Sequence, residues 1–188
     1  MKNQVGLLTM KGFALLLLVI TGSPAGGEEI FFAVQDRQGK SFVGEVTQAG
    51  FESKIQAVKY QSEFINYRES ATGQIAQGKG TIQGPITLTK KLGAASFSFF
   101  KAMTENEILT VTIDFVSPHR SGKKVPTHSL SLYNAKVVGI KQYSEPMGPN
   151  LGFLTVLEEM TFSFENFEMK NLIGGTSPPT NILPPFRR

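Results

Sequence analysis

Apolar and polar residues alternate with a period of two through most of this chain, the spacing that places successive side chains on opposite faces of a strand. The clearest run is EILTVTIDFV. There Leu109, Val111, Ile113 and Phe115 share one face, and Thr110, Thr112 and Asp114 share the other. Shorter apolar runs, Glu29–Val34 and Ser41–Val46, read as two strands around the turn-like QDRQGK. Lys54–Tyr67 alternates loosely, which predicts one or two strands with a bulge. TIQGPITLTK resumes strand character, and Pro85 within it marks an edge or a bulge. THSLSLYNAKVVGIKQY predicts one strand, or two joined at Asn134. FLTVLEEMTFSFENFEM predicts one long strand with Leu154, Val156, Met160, Phe162 and Phe164 on its buried face. Glu158 falls on that same face, so it either sits near a sheet end or meets a buried cation.

One segment departs from this period. After the strand ITLTKK, the stretch LGAASFSFFKAM places Ala95, Phe99, Ala102 and Met103 on one face of a helix. Phe97 projects from the opposite side with Ser98 and Lys101. A helix of about ten residues is marginal in water and must be held by packing its apolar face on the sheets. The expected fold is therefore mainly β, a two-sheet β-barrel or sandwich with one short α-helix plugging an open end. Residues 1–25 read as a signal peptide, 26–172 as the barrel domain and 173–188 as a Pro-rich flexible tail.

The leader reading rests on basic Lys2 and Lys11, the apolar run Phe13–Ile20 and the small residues Ser23 and Ala25. It predicts a secreted or periplasmic protein without a membrane span in its mature form, and a cytoplasmic one before secretion if the leader does not function. Removing the leader lowers the net charge from +4 to +2, with basic residues scattered, which argues against a nucleic-acid partner. The chain has no Cys and only two His, which excludes disulfides, thiolate chemistry and a multi-histidine metal cage. Asp114, His119 and Ser121 are the one triad-like set, but SPHRSG lacks the strained elbow that exposes a nucleophile. Lys79-Gly80-Thr81 fails the spacing of a phosphate loop. The sequence points to no enzyme, no metal and no cofactor.

The order of elements resembles the haemolysin-coregulated protein (Hcp) family, the tube proteins of type VI secretion systems. EIFFAVQDRQGKS is similar to that family's opening strand and turn, and KIQAVKYQSEF to its second block, with Tyr60 where an aromatic is expected. GKGTIQGPITLTKKLGAASFSFFKAM resembles its strand, Thr-Lys step and single helix, and SLSLYNAKVVGIKQYSE with LTVLEEMTFSFENFEM its closing strands. The resemblance implies a subunit that assembles with itself into a ring of six, stacks into tubes and holds small effector proteins, with spike or sheath components as further partners. It places ring-to-ring contacts on the polar loop 68–80, at Arg68, Glu69, Gln74, Gln77 and Lys79, and turns Phe97 and Lys101 on the outward helix side toward the lumen or a neighbouring subunit. The family usually leaves the cell without a cleavable signal, so residues 1–25 depart from its pattern, as does the tail. The alternative expectation from the residues alone is a secreted monomeric β-barrel that uses its lumen or loops to bind a small ligand.

Overall fold

The computed structural model describes residues 27–65, 82–119, 122–146 and 154–173. The expected leader, the 68–80 loop and most of the Pro-rich tail lie outside these residues. Among the described residues seven strands and one helix follow in the order β1 (Glu29–Asp36), β2 (Ile55–Ile65), β3 (Ile82–Lys91), α1 (Ser96–Thr104), β4 (Leu109–Pro118), β5 (Lys124–Pro146), β6 (Leu154–Ser163) and β7 (Asn166–Asn171). All neighbours are antiparallel, in the order β4-β1-β2-β3-β6-β5-β7, and a further β4–β5 pairing closes the sheet into a ring. This is the mainly β barrel with one helix that the alternation predicts.

Helix α1 fills the barrel. Its Ala95, Phe99 and Ala102 are fully buried. The Phe99 ring meets Phe42, Phe32 and Phe162 with centroids 5.2, 6.2 and 6.1 Å away. A nine-residue helix has too few hydrogen bonds to persist alone, so this aromatic contact is what holds it. The Glu45 carboxylate accepts the Ala94 N–H at the helix entry. Asn106 stops the helix by adopting φ 57°, a left-handed conformation that Asn tolerates better than most residues.

Three local expectations change. Ser41–Val46 is not a strand: only Ser41 bridges, to Gln35, and Phe42 turns its ring into the core. Beyond it the chain bonds to a nearby loop, with Gly44 N–H on Ser53 O and Val46 N–H on Lys54 O. A Cβ at Gly44 would lie 2.1 Å from Lys54 O, so this close approach requires glycine. The last long strand breaks at Phe164–Glu165, and the break reverses the parity, so Phe167 rather than an even residue is buried in β7. Leu154 and Val156 keep the inward parity but are 67% and 41% exposed. There β6 pairs only with Ser144–Pro146 of β5, and its pairing with β3 begins at Leu157, so this end of the ribbon overhangs the barrel.

Two sequence expectations hold in detail. The register of β2 against β3 shifts between Ser62 and Phe64, opposite Gly84-Pro85, and β6 joins β3 only from Ile86 onward. Pro85 therefore sits at a bulge and beyond the reach of one neighbour, where its missing N–H costs least. Asn134 adopts φ 50° in the middle of β5, which continues past it as one 23-residue strand.

Replacing Phe99 by Ala should destabilise the domain by about 3–5 kcal/mol, because the cavity would open among the three remaining aromatic rings. Phe97→Ser, at a side chain 88% exposed, should stay within about 0.5 kcal/mol of the parent. Denaturant unfolding of the two variants checks the contrast.

Candidate assembly surface

The ring of strands is closed unevenly. β1 pairs with β2 only through Ile30–Phe32 against Ile55–Ala57, and beyond Ala57 the described part of β2 has β3 as its sole strand partner. β4 pairs with β5 only as far as Ala135, and from Lys136 to Pro146 β6 is the sole partner of β5 among the described residues. Among the described residues, β2, β3, β6 and the second half of β5 together make a four-stranded sheet with a free edge on each side. A long free edge presents a row of unpaired backbone groups, a template for pairing with another chain.

The two faces of this sheet differ in character. One carries Tyr60, Leu88, Met160 and Ile140 in register, packed on the core. The other carries the row Lys59, Thr89, Glu159, Lys141 and the row Gln61, Thr87, Thr161, Gly139. The hydroxyls of Thr87 and Thr161 lie 3.4 Å apart across the strands. Apart from Gly139 the side chains of these two rows are polar, and Thr89 among them is buried.

Below the sheet end sits a buried ionic joint. Lys90 and Glu158 are each 1% exposed, with Nζ 2.8 Å from Oε2. Lys90 also donates to Ser96 Oγ at 2.8 Å and to the Lys91 carbonyl at 2.9 Å. Gln142 donates to Glu158 Oε1 at 2.6 Å, and the Ser96 hydroxyl donates to Oε2. Burial pushes the Glu158 pKa up, but hydrogen bonds from Lys90, Ser96 and Gln142 and the Lys90 charge outweigh it and hold the carboxyl below its ordinary range. The cation that the position of Glu158 called for is thus Lys90, and the joint ties β3, β5, β6 and the start of α1.

Beside the free edge of β2 lies a cleft of about 500 Å³, walled by Val46 and Gln48 on one side and by Gln56, Val58 and Leu92 on the other. It opens where β2 parts from β1.

Of the residues singled out from sequence, Phe97 stands free on the outer side of α1. Lys101 is engaged by its own surroundings, with Nζ 3.4 Å from Glu105 and 3.2 Å from Glu107, and these carboxylates raise its pKa. Arg68, Glu69, Gln74, Gln77 and Lys79 lie outside the described residues. Asp114 pairs with Lys54 at 2.5 Å, a structural contact under the loop that follows β1, and Ser121 lies outside the described residues. Among the described residues no group of three or more His, Asp or Glu could hold a metal, and no helix is long and apolar enough to cross a membrane. The free edges are what sequence reasoning missed.

The class defined by this structure is a closed antiparallel β-barrel with one inserted helix, and comparison with known proteins gives it a family. The family model described as "Type VI secretion system effector, Hcp" matches residues 31–170. The chain belongs to the Hcp family. Similar solved structures include one described as an Hcp protein, at 17% identity and TM-score 0.71, covering 82% of this chain and 98% of that one. Hcp1 from E. coli EAEC 042 is similar at 20% identity and TM-score 0.66, covering 79% and 94%. The secreted protein Hcp3 from Pseudomonas aeruginosa is similar at 19% identity and TM-score 0.64, covering 82% and 98%. At these identities the likeness is one of fold. No curated protein matches the sequence.

Because the Glu158 carboxyl is held low, its stabilisation is present above the unfolded carboxyl range near about 4.3 and is lost as pH falls through the folded value. Glu158→Gln at neutral pH should cost about 3–5 kcal/mol by stranding Lys90, and should flatten the acid limb of the stability profile. Lys90→Met with Glu158→Leu should recover most of that loss. Thermal melts across pH decide: a single variant that melts like the parent and keeps its acid limb would remove the joint from the account.

Proposed function

We propose that this chain is a structural, self-assembling subunit whose copies join edge to edge into a ring, and that such rings stack into a secreted tube. The observation that supports it most is the pair of free edges on one four-stranded sheet. The strands of that sheet alternate in direction and are even in number, so β2 of one copy and β5 of the next run antiparallel, and the alternation continues through any number of copies. Ring closure then leaves no edge, the usual answer to the edge-strand problem. Six copies, the number implied by the family resemblance, would contribute four strands each. At roughly 4.8 Å per strand this gives a barrel on the order of 40 Å across, lined by the polar Thr, Gln, Lys and Glu rows. A channel of that width is wide enough for a small folded effector, and stacking along its axis needs a second, head-to-tail interface.

Export by residues 1–25 belongs to the same reading and is checked by N-terminal sequencing of the mature protein. A monomeric carrier that binds in its lumen has less support, since Phe32, Phe99 and Phe162 fill the barrel interior that such a ligand would need.

Native mass spectrometry over a range of concentrations tests the proposal. The expected result is one dominant closed oligomer, with ring-shaped particles in negative-stain images. Monomer at every concentration, with no rings, would overturn it.

A further inference from the structure

The two free edges carry the same charge pattern in the same spacing. On β2, Lys59 and Glu63 lie four residues apart, and on β5, Lys141 and Glu145 do. All four side chains are exposed, and none has an ion-pair partner among the described residues. Lys59 and Lys141 project on the polar face, in one cross-strand row with Thr89 and Glu159. Glu63 and Glu145 follow on that face by the period of two. Lys141 lies over its own Tyr143 ring, 5.3 Å from the centroid, which keeps its charge at the strand surface.

We propose that a second copy of this chain docks on each edge at one register, in which Lys59 of one copy faces Glu145 of the next and Glu63 faces Lys141. The inference rests on the edge-to-edge reading above and deepens it. Antiparallel strands bring both pairs opposite at once, with Gln61 facing Tyr143 between them. Registers shifted from this one lose the match. Without stagger, Lys59 would face Lys141, and directly opposed like charges destabilise a strand pair. A slip of two residues would leave Lys59 against Tyr143 and Lys141 against Gln61. A slip of one residue would turn the polar face of one copy toward the core side of the next.

The chosen register also has the right geometry for a closed barrel. It staggers each copy by four residues relative to its neighbour, and each copy contributes four strands. Shear then equals strand number, the ratio found in the eight-stranded barrel whose strands tilt by about 36°. That tilt lies in the ordinary range of about 35–45° for closed barrels. Edge charges that elsewhere only repel wrong partners here also select the right one.

Pairing of like edges about a twofold axis would match charges as well, β2 on β2 or β5 on β5, but would leave the other edge open. Charge reversal separates the cases. One variant carries Lys59→Glu with Glu63→Lys, the other Lys141→Glu with Glu145→Lys. Each alone should raise the midpoint concentration for assembly at least about tenfold at low salt, with unchanged thermal melts, and added salt should narrow the gap. Mixed in equal amounts, the two variants should assemble again, because every interface between unlike copies regains both opposite-charge pairs. Since the chain has no Cys, Gln61→Cys with Tyr143→Cys should cross-link between copies on oxidation, whereas Gln61→Cys with Gly139→Cys should not. A parent protein that stays monomeric would overturn the edge-to-edge reading itself. A parent that forms rings while both reversals assemble normally, or that cross-links through 61 and 139, would overturn the register and leave the ring standing. Reversals that fail singly and also fail when mixed would overturn it too.

Discussion

The arrangement depends on one constraint: β5 is longer than any single neighbour can cover. Over its first half it lies between β4 and β7, and after Ala135 it continues with β6 as its only partner among the described residues. The chain turns through this change at Asn134, in a left-handed conformation, and at the register shift between Val137 and Gly139. A strand that changes partners can close a barrel at one end and leave the sheet open at the other. β2 makes the matching departure from β1 after Ala57. Both free edges therefore belong to the same sheet, and its core-remote face is polar because the strands alternate.

Closure and openness are held apart by two kinds of packing. At the closed part, the Phe99 ring and its three aromatic neighbours fill the interior, so the barrel is a core rather than a container. Where the open sheet meets the helix, Lys90 and Glu158 replace apolar packing with a satisfied ionic joint. A buried ion pair is weak evidence for stability, since its desolvation offsets much of its attraction. Its directional bonds to Ser96, Gln142 and the Lys91 carbonyl do fix where α1 begins relative to three strands. The joint thus acts as a register pin between the plug and the sheet.

Much of this was legible in the sequence. The period of two gave the strands, Pro85 its bulge, Asn134 its corner, and the spacing of Ala95, Phe99 and Ala102 the helix with its buried face. Glu158 on an apolar face announced a hidden cation, although local pattern could not say that Lys90 was the partner. The failures have one source, which is that pairing is non-local. Ser41–Val46 has a strand's composition, but its backbone bonds are taken by Ser53 and Lys54. Leu154 and Val156 have inward parity, yet β3 does not extend far enough to cover them. The free edges were invisible for the same reason: Val58–Phe64 and Val138–Pro146 read like any half-buried strands, and only the missing neighbour marks them. Their charges, Lys59, Glu63, Lys141 and Glu145, carried a signal that gains meaning once both edges are known.

Hydrogen exchange of the backbone amides, followed from dilute monomer to concentrated assembly, tests the edge-to-edge claim most directly. The account predicts that Val58–Ile65 and Lys136–Pro146 gain protection together as the oligomer forms, while the exposed side of α1 around Phe97 changes little. Assembly that protects α1 and leaves both strand segments exchanging as in the monomer would contradict it.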